Sequence, residues 1–232
     1  SLPDEYDLRT PENKWLPVRL YEKTFAKTTF SGNVSYRWSD AAMTYLSYSQ
    51  GFKGGGWNSH FNRAIQPTDP HLFKEETAES YEAGFKLDLL DATLRLNGAI
   101  FTTDYKNMQF TYRIGVAPFL FNTGKATING AELELTWVPL DAVIVEGGVG
   151  YLDGEIKEVD VLINAVTGVS TSNKLPFTPS WQANLGVGYR IDVGTGWRLT
   201  PRVVGFYQSR TWFDEGNTPQ IAQLDPVKTV GA

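Results

Sequence analysis

This sequence of 232 residues contains few side chains that could bind a metal ion and none that could carry out thiol chemistry. It contains no cysteine and only two histidines, His60 and His71, which fall in the same loop-like stretch. Without cysteine, the chain offers neither a disulfide framework nor a thiol nucleophile. Asp69 is a nearby carboxylate, but its spacing from the histidines does not follow a metal-ligand pattern. We therefore predict no metal site and no bound cofactor.

Carboxylate pairs are the remaining candidates for catalysis. Adjacent Glu75 and Glu76 could imitate the two carboxyl groups of a glycosidase. The group formed by Glu155, Glu158 and Asp160 could do the same. A glycosidase requires a set separation between its carboxyl groups, whereas charged loop residues also serve solubility. We predict no catalytic residue and no enzymatic activity.

One loop carries residues suited to binding a small molecule. The stretch 53–73 contains the candidate ligand contacts Trp57, His60, Phe61, Arg63 and His71. Rings supply contact area, and an arginine complements an acidic group. Ordinary solvated loop residues are the alternative interpretation.

The elements that position these residues are predicted to be β-strands. From Ser80 to Phe101, apolar residues alternate with polar or small ones across a polar break at Asp91. Such alternation indicates strands with one apolar and one polar face. The same pattern recurs in residues 30–38, 43–52, 130–137, 143–151, 181–191 and 197–207. This makes eight strands with a possible ninth near 227–232, and no comparable stretch has helical periodicity, so we predict an all-β chain.

The connections between the predicted strands alternate in length. Short breaks lie at 39–42, 90–93, 139–142 and 192–196. Long connections lie at about 53–76, 108–121, 154–178 and 211–222, well beyond the usual loop of about 4–6 residues. An up-and-down antiparallel sheet with this alternation has all short turns at one end and all long loops at the other.

Two classes of β-protein fit this pattern. A soluble sandwich also alternates polar and apolar residues. A transmembrane barrel is favoured because the strands run about 9–14 residues and because Trp38, Trp137 and Trp197 sit beside short turns, where an interfacial girdle lies. The formal charge of -5 and the lack of a basic cluster disfavour nucleic acid, and no apolar run is long enough for a membrane helix.

Five motifs, in order, resemble the barrel of TonB-dependent outer-membrane receptors. They are LSYSQGFKGGGWN (46–58), ESYEAGFK (79–86), LNGAIFTTDYKNMQ (96–109), NTGKATINGAELELTWVP (122–139) and LPFTPSWQANLGVGYR (175–190). The resemblance implies a barrel of 22-stranded type, an N-terminal plug, and energy supplied by the inner-membrane TonB complex through that plug. On this basis residues 1–232 are predicted to be a barrel fragment of eight to nine strands that lacks the plug and the final strands.

The polar face of the predicted strands then has two interpretations. It is either a wall that holds a plug through charge-assisted bonds or a generic hydrated barrel lumen. The residues predicted to face the lumen are Glu82, Lys86, Arg95, Glu132, Glu134, Glu146, Arg190, Arg198 and Arg202.

The resemblance implies a receptor in the bacterial outer membrane that imports a scarce nutrient such as a ferric siderophore. Its expected partners are outer-membrane lipid, the nutrient ligand and the TonB complex. A soluble or surface β-protein that binds or hydrolyses carbohydrate is the alternative from another class, and a small passive porin is a third. A requirement for detergent separates the barrel from the soluble alternative.

Three spatial predictions follow from the barrel interpretation. The first and last strands of the chain do not pair with each other. The short turns lie on the periplasmic side and the long loops outside. The residues predicted to face lipid are Tyr81, Phe85, Leu87, Leu133, Leu135, Leu185, Val187 and Tyr189.

Overall fold

The computed structural model describes residues 22–58, 72–114, 117–122, 124–219 and 223–231. Within them the chain forms seventeen strands and one short helix, numbered along the chain. The first strands are β1 (Ser31–Ser39), β2 (Ala42–Lys53), β3 (Gly56–Trp57), β4 (Leu72–Phe73), β5 (Glu76–Leu89), β6 (Leu94–Lys106), β7 (Gln109–Ile114) and β8 (Ala117–Asn122). The remaining elements are β9 (Gly124–Leu140), β10 (Val143–Val159), α1 (Val161–Thr167), β11 (Trp181–Tyr189), β12 (Ile191–Val193), β13 (Trp197–Leu199), β14 (Arg202–Gln208), β15 (Thr211–Trp212), β16 (Gln223–Leu224) and β17 (Val227–Gly231). The described residues contain no helix of membrane-spanning length and apolarity.

Nine of these strands form one antiparallel sheet, the main sheet, in the order β1-β2-β5-β6-β9-β10-β11-β14-β17. Each strand pairs with its neighbours along the chain, so the up-and-down prediction is confirmed. The possible ninth strand is also confirmed, as β17. Within the described residues β1 and β17 occupy opposite edges and do not pair, as predicted.

The long connections contain more structure than the sequence pattern predicts. Strands β9 and β10 each run for 17 residues, so the region predicted to be a loop from 154 begins as strand. Helix α1 follows directly, and the sequence interpretation missed it because it spans only 7 residues. The connection at 108–121 is largely the two-stranded ribbon β7–β8. Smaller ribbons, β3–β4 and β15–β16, lie in the first and last long connections.

The strand predicted over residues 197–207 is interrupted. Pro201 lacks an amide hydrogen, so it cannot donate to the ladder at that point. Its carbonyl accepts from the Tyr189 amide at 3.0 Å, and regular pairing resumes at Arg202. On the other side of the break, β12 and β13 form a separate ribbon that ends in a turn through Gly194 and Gly196, both with positive φ.

The register of the main sheet separates its residues into two faces. Residues that pair directly across an antiparallel ladder point to the same side. Leu135 on β9 pairs with Gly147 on β10, and Gly147 pairs with Leu185 on β11. Tracing the ladder in this way confirms that the eight residues predicted to face lipid lie together on one face, here called the apolar face. They are Tyr81, Phe85, Leu87, Leu133, Leu135, Leu185, Val187 and Tyr189.

Aromatic side chains lie at both ends of the apolar face. At the turn end, Trp38 and Trp137 are 67% and 38% exposed, and Trp197, in the separate β12–β13 ribbon, is 77% exposed. Toward the loop end, ring pairs join neighbouring strands, Tyr48 with Tyr81 at 5.0 Å and Tyr151 with Trp181 at 4.8 Å between centroids. Two aromatic rows flanking an apolar band are typical of a sheet that crosses a bilayer.

The aromatic row at the loop end slants across the sheet. Through the register, Tyr81 on β5 lies level with Asp153 on β10, whereas Tyr207 on β14 lies level with Val149. The row therefore shifts by four residues over five strand steps, since 153 minus 149 is four. With a rise of about 3.3 Å per residue and a strand spacing of about 4.8 Å, this corresponds to a strand tilt of about 30°. Such a tilt is close to that of membrane barrels.

Beyond the aromatic row the two faces exchange polarity. On the side of the apolar face, the residues that follow Tyr81 and Thr102 are Glu79 and Asp104, and Lys106 lies 3.7 Å from Glu79. On the opposite side the strands become apolar and support a buried cluster that includes β7, β8 and α1. Its members are Tyr112, Phe119, Phe121, Ala126, Ile156, Ile163, Val169 and Leu175. The long connections therefore fold over the polar side of the sheet, where they form a cap.

Candidate functional site

Seven of the nine residues predicted to face a lumen share the second face of the main sheet, here called the polar face. Lys86 pairs with Asn97 and Asn97 with Glu134, which places these three side chains in one row across β5, β6 and β9. The same ladder places the other members on this side. The seven are Glu82, Lys86, Arg95, Glu132, Glu134, Glu146 and Arg202.

The other two predicted residues lie outside this wall. Arg198 belongs to β13 and its Nε donates to Asp192 at 2.8 Å within the β12–β13 ribbon. Arg190 lies in the link between β11 and β12, where its amide donates to the Ala142 carbonyl at 2.6 Å. The break at Pro201 removes both from the ladder, and alternation alone could not reveal that interruption.

Two ion pairs occupy the turn end of the polar face. Arg95 binds Asp88 through two parallel bonds, with Nε at 2.7 Å and Nη2 at 3.1 Å from the carboxylate oxygens. Arg202 lies 2.8 Å from Glu146. All four side chains retain solvent contact, so screening by water keeps the contribution of each pair to stability small. Each of these four charged groups therefore has a partner of opposite charge.

The middle of the polar face contains charges that are not paired. The Tyr45 hydroxyl donates to Glu82 Oε1 at 2.7 Å. Lys86, Glu132 and Glu134 make no hydrogen bond or ion pair within the described part of the chain. A shallow groove of about 170 Å³ brings these side chains together; it is lined by Tyr45, Phe85, Lys86, Asn97, Gly98, Ala99, Glu132 and Glu134.

Aromatic rings on the polar face were missed by the sequence interpretation. The Tyr45 ring covers Gly84, where an added Cβ would lie 2.5 Å from ring carbons. The Phe101 ring covers Gly130 in the same way. Each ring fills the space left by the missing side chain of its cross-strand partner. No pattern within a single strand predicts these contacts. They depend on which residues pair across neighbouring strands, Tyr45 with Gly84 and Phe101 with Gly130.

The candidate ligand contacts are only partly described. Trp57 is half-buried in β3, opposite Leu72 of β4. His60, Phe61, Arg63 and His71 lie outside the described residues.

Amide side chains join the first two long connections, and sequence analysis did not identify them. Asn58 donates to the Leu120 carbonyl at 2.8 Å and accepts from the Leu120 amide at 2.6 Å, as a neighbouring strand would. Asn122 makes the same exchange with Lys74, at 2.9 and 2.6 Å. Gln109 is buried and donates to the carbonyl of Lys74 at 3.0 Å. These contacts span up to 62 positions, so no local pattern predicts them.

A similar exchange joins the third and fourth long connections. Asn217 donates to the Lys174 carbonyl at 2.9 Å and accepts from its amide at 2.6 Å. The Lys174 ammonium also binds Asp153 at 2.9 Å, and this carboxylate raises the pKa of Lys174 above its usual range. Burial raises the pKa of Glu215, two residues before Asn217. The cap is therefore a folded unit with its own polar contacts and core.

The described residues include no group of three or more His, Cys, Asp or Glu that could hold a metal ion. What the geometry presents is a one-sided polar wall with satisfied ion pairs at the turn end and unpaired charges at mid-height.

Comparison with known proteins assigns the chain to a family. Residues 4–232 match the family described as TonB dependent receptor-like, beta-barrel. The probable TonB-dependent siderophore receptor PiuA of Acinetobacter baumannii is 25% identical over 195 residues, which is 79% of this chain and 26% of that protein. The pesticin receptor of Yersinia enterocolitica is 30% identical over 191 residues, covering 80% of this chain and 26% of the relative.

Solved structures show the same architecture. The ferric yersiniabactin uptake receptor FyuA from Yersinia pestis aligns with a TM-score of 0.67 at 25% identity, covering 86% of this chain and 28% of that structure. The ferric preacinetobactin receptor BauA from Acinetobacter baumannii aligns with a TM-score of 0.64 at 20% identity, over 87% and 28% of the two chains. The chain thus spans about a quarter of the length of the curated relatives it matches. It belongs to the TonB-dependent receptor β-barrel family, which consists of outer-membrane transport receptors.

Proposed function

We propose that this chain is part of the barrel of a receptor that imports a scarce nutrient, such as a ferric siderophore, across the bacterial outer membrane. The observation that carries the proposal is the family match over residues 4–232, joined to a sheet with one apolar and one polar face. The relative PiuA, named as a probable TonB-dependent siderophore receptor, and the ferric yersiniabactin uptake receptor FyuA support the ligand class. Energy for import reaches the receptor from the inner membrane through TonB.

The proposal includes regions that lie outside this sequence. Since the relatives are about three times as long, we expect the complete receptor to contain further barrel strands and a plug domain that contacts TonB. The apolar face contacts outer-membrane lipid, because its aromatic rows bound an apolar band at a tilt suited to a barrel. The polar face lines the lumen and contacts the plug. The family consists of transport receptors, so we expect no reaction chemistry on the substrate.

The first long connection is the proposed ligand contact. It combines the rings of Trp57 and Phe61 with the histidines His60 and His71 and the guanidinium of Arg63. Rings give contact area at low entropy cost, and a cation complements an acidic chelate. The amide exchanges of Asn58 and Asn122 support this role, because they fix the described ends of the connection against the second one.

Uptake of radioactive iron as a ferric siderophore tests the proposal in cells that lack other receptors for that compound. The full-length receptor is compared with a variant from which residues 59–71 are removed. We expect the intact receptor to support uptake that depends on TonB, and the deletion to weaken ligand binding while surface display is retained. Trp197→Ala, which changes an exposed ring at the opposite end of the sheet, serves as the control and should bind ligand normally.

Two outcomes would contradict the proposal. Absence of TonB-dependent uptake for every ferric siderophore tested, with the receptor inserted in the membrane, would reject the transport role. Unchanged affinity in the deletion variant would remove the first long connection from the ligand site and leave the transport role standing.

A further inference from the structure

The β7–β8 ribbon in the second long connection has two sides with different contacts. Tyr112, Phe119 and Phe121 point to one side and are buried in the cluster of the cap. Gln109 and Asn122 pair directly across the ladder, so their side chains point together to the other side. On that side the ribbon contacts the first long connection. The ribbon therefore joins the first connection to the core of the cap.

The side chain of Gln109 joins the two legs of the first connection. Its Nε2 donates to the Gly54 carbonyl at 2.9 Å and to the Lys74 carbonyl at 3.0 Å. Gly54 precedes β3 and Lys74 follows β4, so one amide group bridges both ends of the β3–β4 ribbon. Because a carbonyl oxygen can only accept, the amide must present its NH2 group to these two atoms. Gln109 is 7% exposed, and a buried carbonyl that loses its donor is costly.

Two asparagines hold the same legs. Asn122 donates to the Lys74 carbonyl at 2.9 Å and accepts from the Lys74 amide at 2.6 Å, so this carbonyl receives both members of the Gln109–Asn122 pair. On the incoming leg, Asn58 exchanges two hydrogen bonds with Leu120 of β8. Gln109, Asn122 and Asn58 are here called the amide clamp. It ties both legs of the first connection to one ribbon.

Trp57 lies between these legs and depends on the amide clamp for its position. It is half-buried in β3, opposite Leu72 of β4. Strands β3 and β4 contain two residues each, and a hairpin of that length is not stable alone. We propose that Gln109 and Asn122 are positioning residues for ligand binding, which hold Trp57 through the legs of the first connection. This inference rests on the proposed function, which places Trp57 in the ligand contact.

The energetic advantage of this arrangement is preorganisation. A ring that is held in place before the ligand arrives has less freedom to lose on binding, and affinity rises accordingly. Without the amide clamp, β3 and β4 must be ordered at the moment of binding. Affinity then falls although every side chain proposed to contact the ligand is retained.

Hydrogen exchange of the full-length receptor in lipid nanodiscs, without ligand, tests the positioning directly. Gln109→Met removes both donors and retains an unbranched side chain of similar length. Asn58→Ala releases only the incoming leg, and it decides the test if Gln109→Met does not insert. Asn217→Ala is the matched control, because it removes the same kind of exchange between the third and fourth connections.

We expect exchange in residues 54–57 and 72–74 to rise about tenfold in Gln109→Met and Asn58→Ala, because their hydrogen bonds no longer oppose local opening. Exchange in the same residues should keep the wild-type rate in Asn217→Ala. The main sheet should be unchanged in all three variants.

Binding of the radioactive ferric siderophore used in the uptake assay tests the consequence for the ligand. We expect Gln109→Met to weaken the affinity about tenfold in the wild-type receptor. In a Trp57→Ala background the same substitution should weaken it less than about twofold, because the ring that it positions is absent. A merely structural role would give equal losses in the two backgrounds. Asn217→Ala should bind as the wild type does.

Three results would overturn the inference. They are wild-type exchange of β3 and β4 in both clamp variants, increased exchange throughout the main sheet, and an equal loss of affinity with and without Trp57. If import proceeds and exchange is unchanged, the positioning role fails and the transport proposal stands. If the unmodified receptor neither binds nor imports a ferric siderophore, the transport proposal fails, and the exchange measurement decides whether the amide clamp positions Trp57.

Discussion

Leu185→Arg should destabilise the membrane-inserted barrel, whereas a neighbouring arginine should not. Leu185 lies on the apolar face of β11, and its cross-strand partners are Gly147 and Gly205. Since neither partner covers it, the side chain is 54% exposed. In a barrel this exposed surface is in contact with lipid, so an arginine here must leave water for hydrocarbon.

The depth of Leu185 gives the expected magnitude. It lies four residues along β11 from Trp181, the aromatic residue at the loop end of the apolar face. Four residues at about 3.3 Å, on a strand tilted by roughly 30–40°, place it about 10 Å below that ring. The apolar band of a barrel is about 25 Å tall, so Leu185 lies close to the midplane, where arginine costs about 2–4 kcal/mol.

Denaturant titration of the full-length receptor, folded into lipid vesicles, measures this cost. Asn184→Arg is the matched control, because Asn184 is adjacent but points to the polar face. We expect that control to change the free energy of unfolding by less than about 1 kcal/mol. Equal costs for the two variants would show that the apolar face of β11 does not contact lipid, and would refute the assignment of the faces.

Three further predictions concern the polar face and the cap. Gly84→Ala should destabilise the barrel by about 1–3 kcal/mol in the same titration, because its Cβ collides with the Tyr45 ring; wild-type stability would contradict the close approach. Asn217→Ala should raise hydrogen exchange around Lys174 without changing the main sheet, because two hydrogen bonds are lost; equal protection would show that they stabilise nothing. Burial raises the pKa of Glu215, so stability of its loop should be greatest below the ordinary glutamate pKa and fall as pH rises through the raised value. Exchange measured against pH should show this trend, and Glu215→Gln should abolish it.

The alternation of polar and apolar residues predicted the membrane-spanning part of the fold, because each face of the sheet there contacts a single environment. The run from Ser80 to Leu89 places Tyr81, Phe85 and Leu87 on one side and Glu82 and Lys86 on the other, and the register retains that division. The charges of the polar face could be predicted for the same reason. The ion pairs between these charges could not be predicted from alternation. Arg95 binds Asp88 across a turn, whereas Lys86 on the same face makes no ion pair within the described residues.

The cap could not be predicted because its determinants are either short or distant in sequence. The seven residues of α1 are too few for a helical period to emerge. The side chains of Asn58 and Asn217 form hydrogen bonds with residues that are 62 and 43 positions away in the sequence. Pro201 is the exception, since a proline within a predicted strand is a local signal that pairing is interrupted.

The exchange of polarity along β6 and β9 indicates where the bilayer ends. Ile100 points to the apolar face, but from Asp104 onward that side carries charge, while Ile128 and Ala126 make the other side apolar. A sheet in lipid needs apolar residues outside, whereas a sheet above lipid needs polar residues outside and can bury apolar ones under a cap. The strands continue past this point, so they rise out of the membrane as a paired wall. The buried cluster of the cap therefore covers the polar face at the long-loop end of the sheet, beyond the charged residues at mid-height.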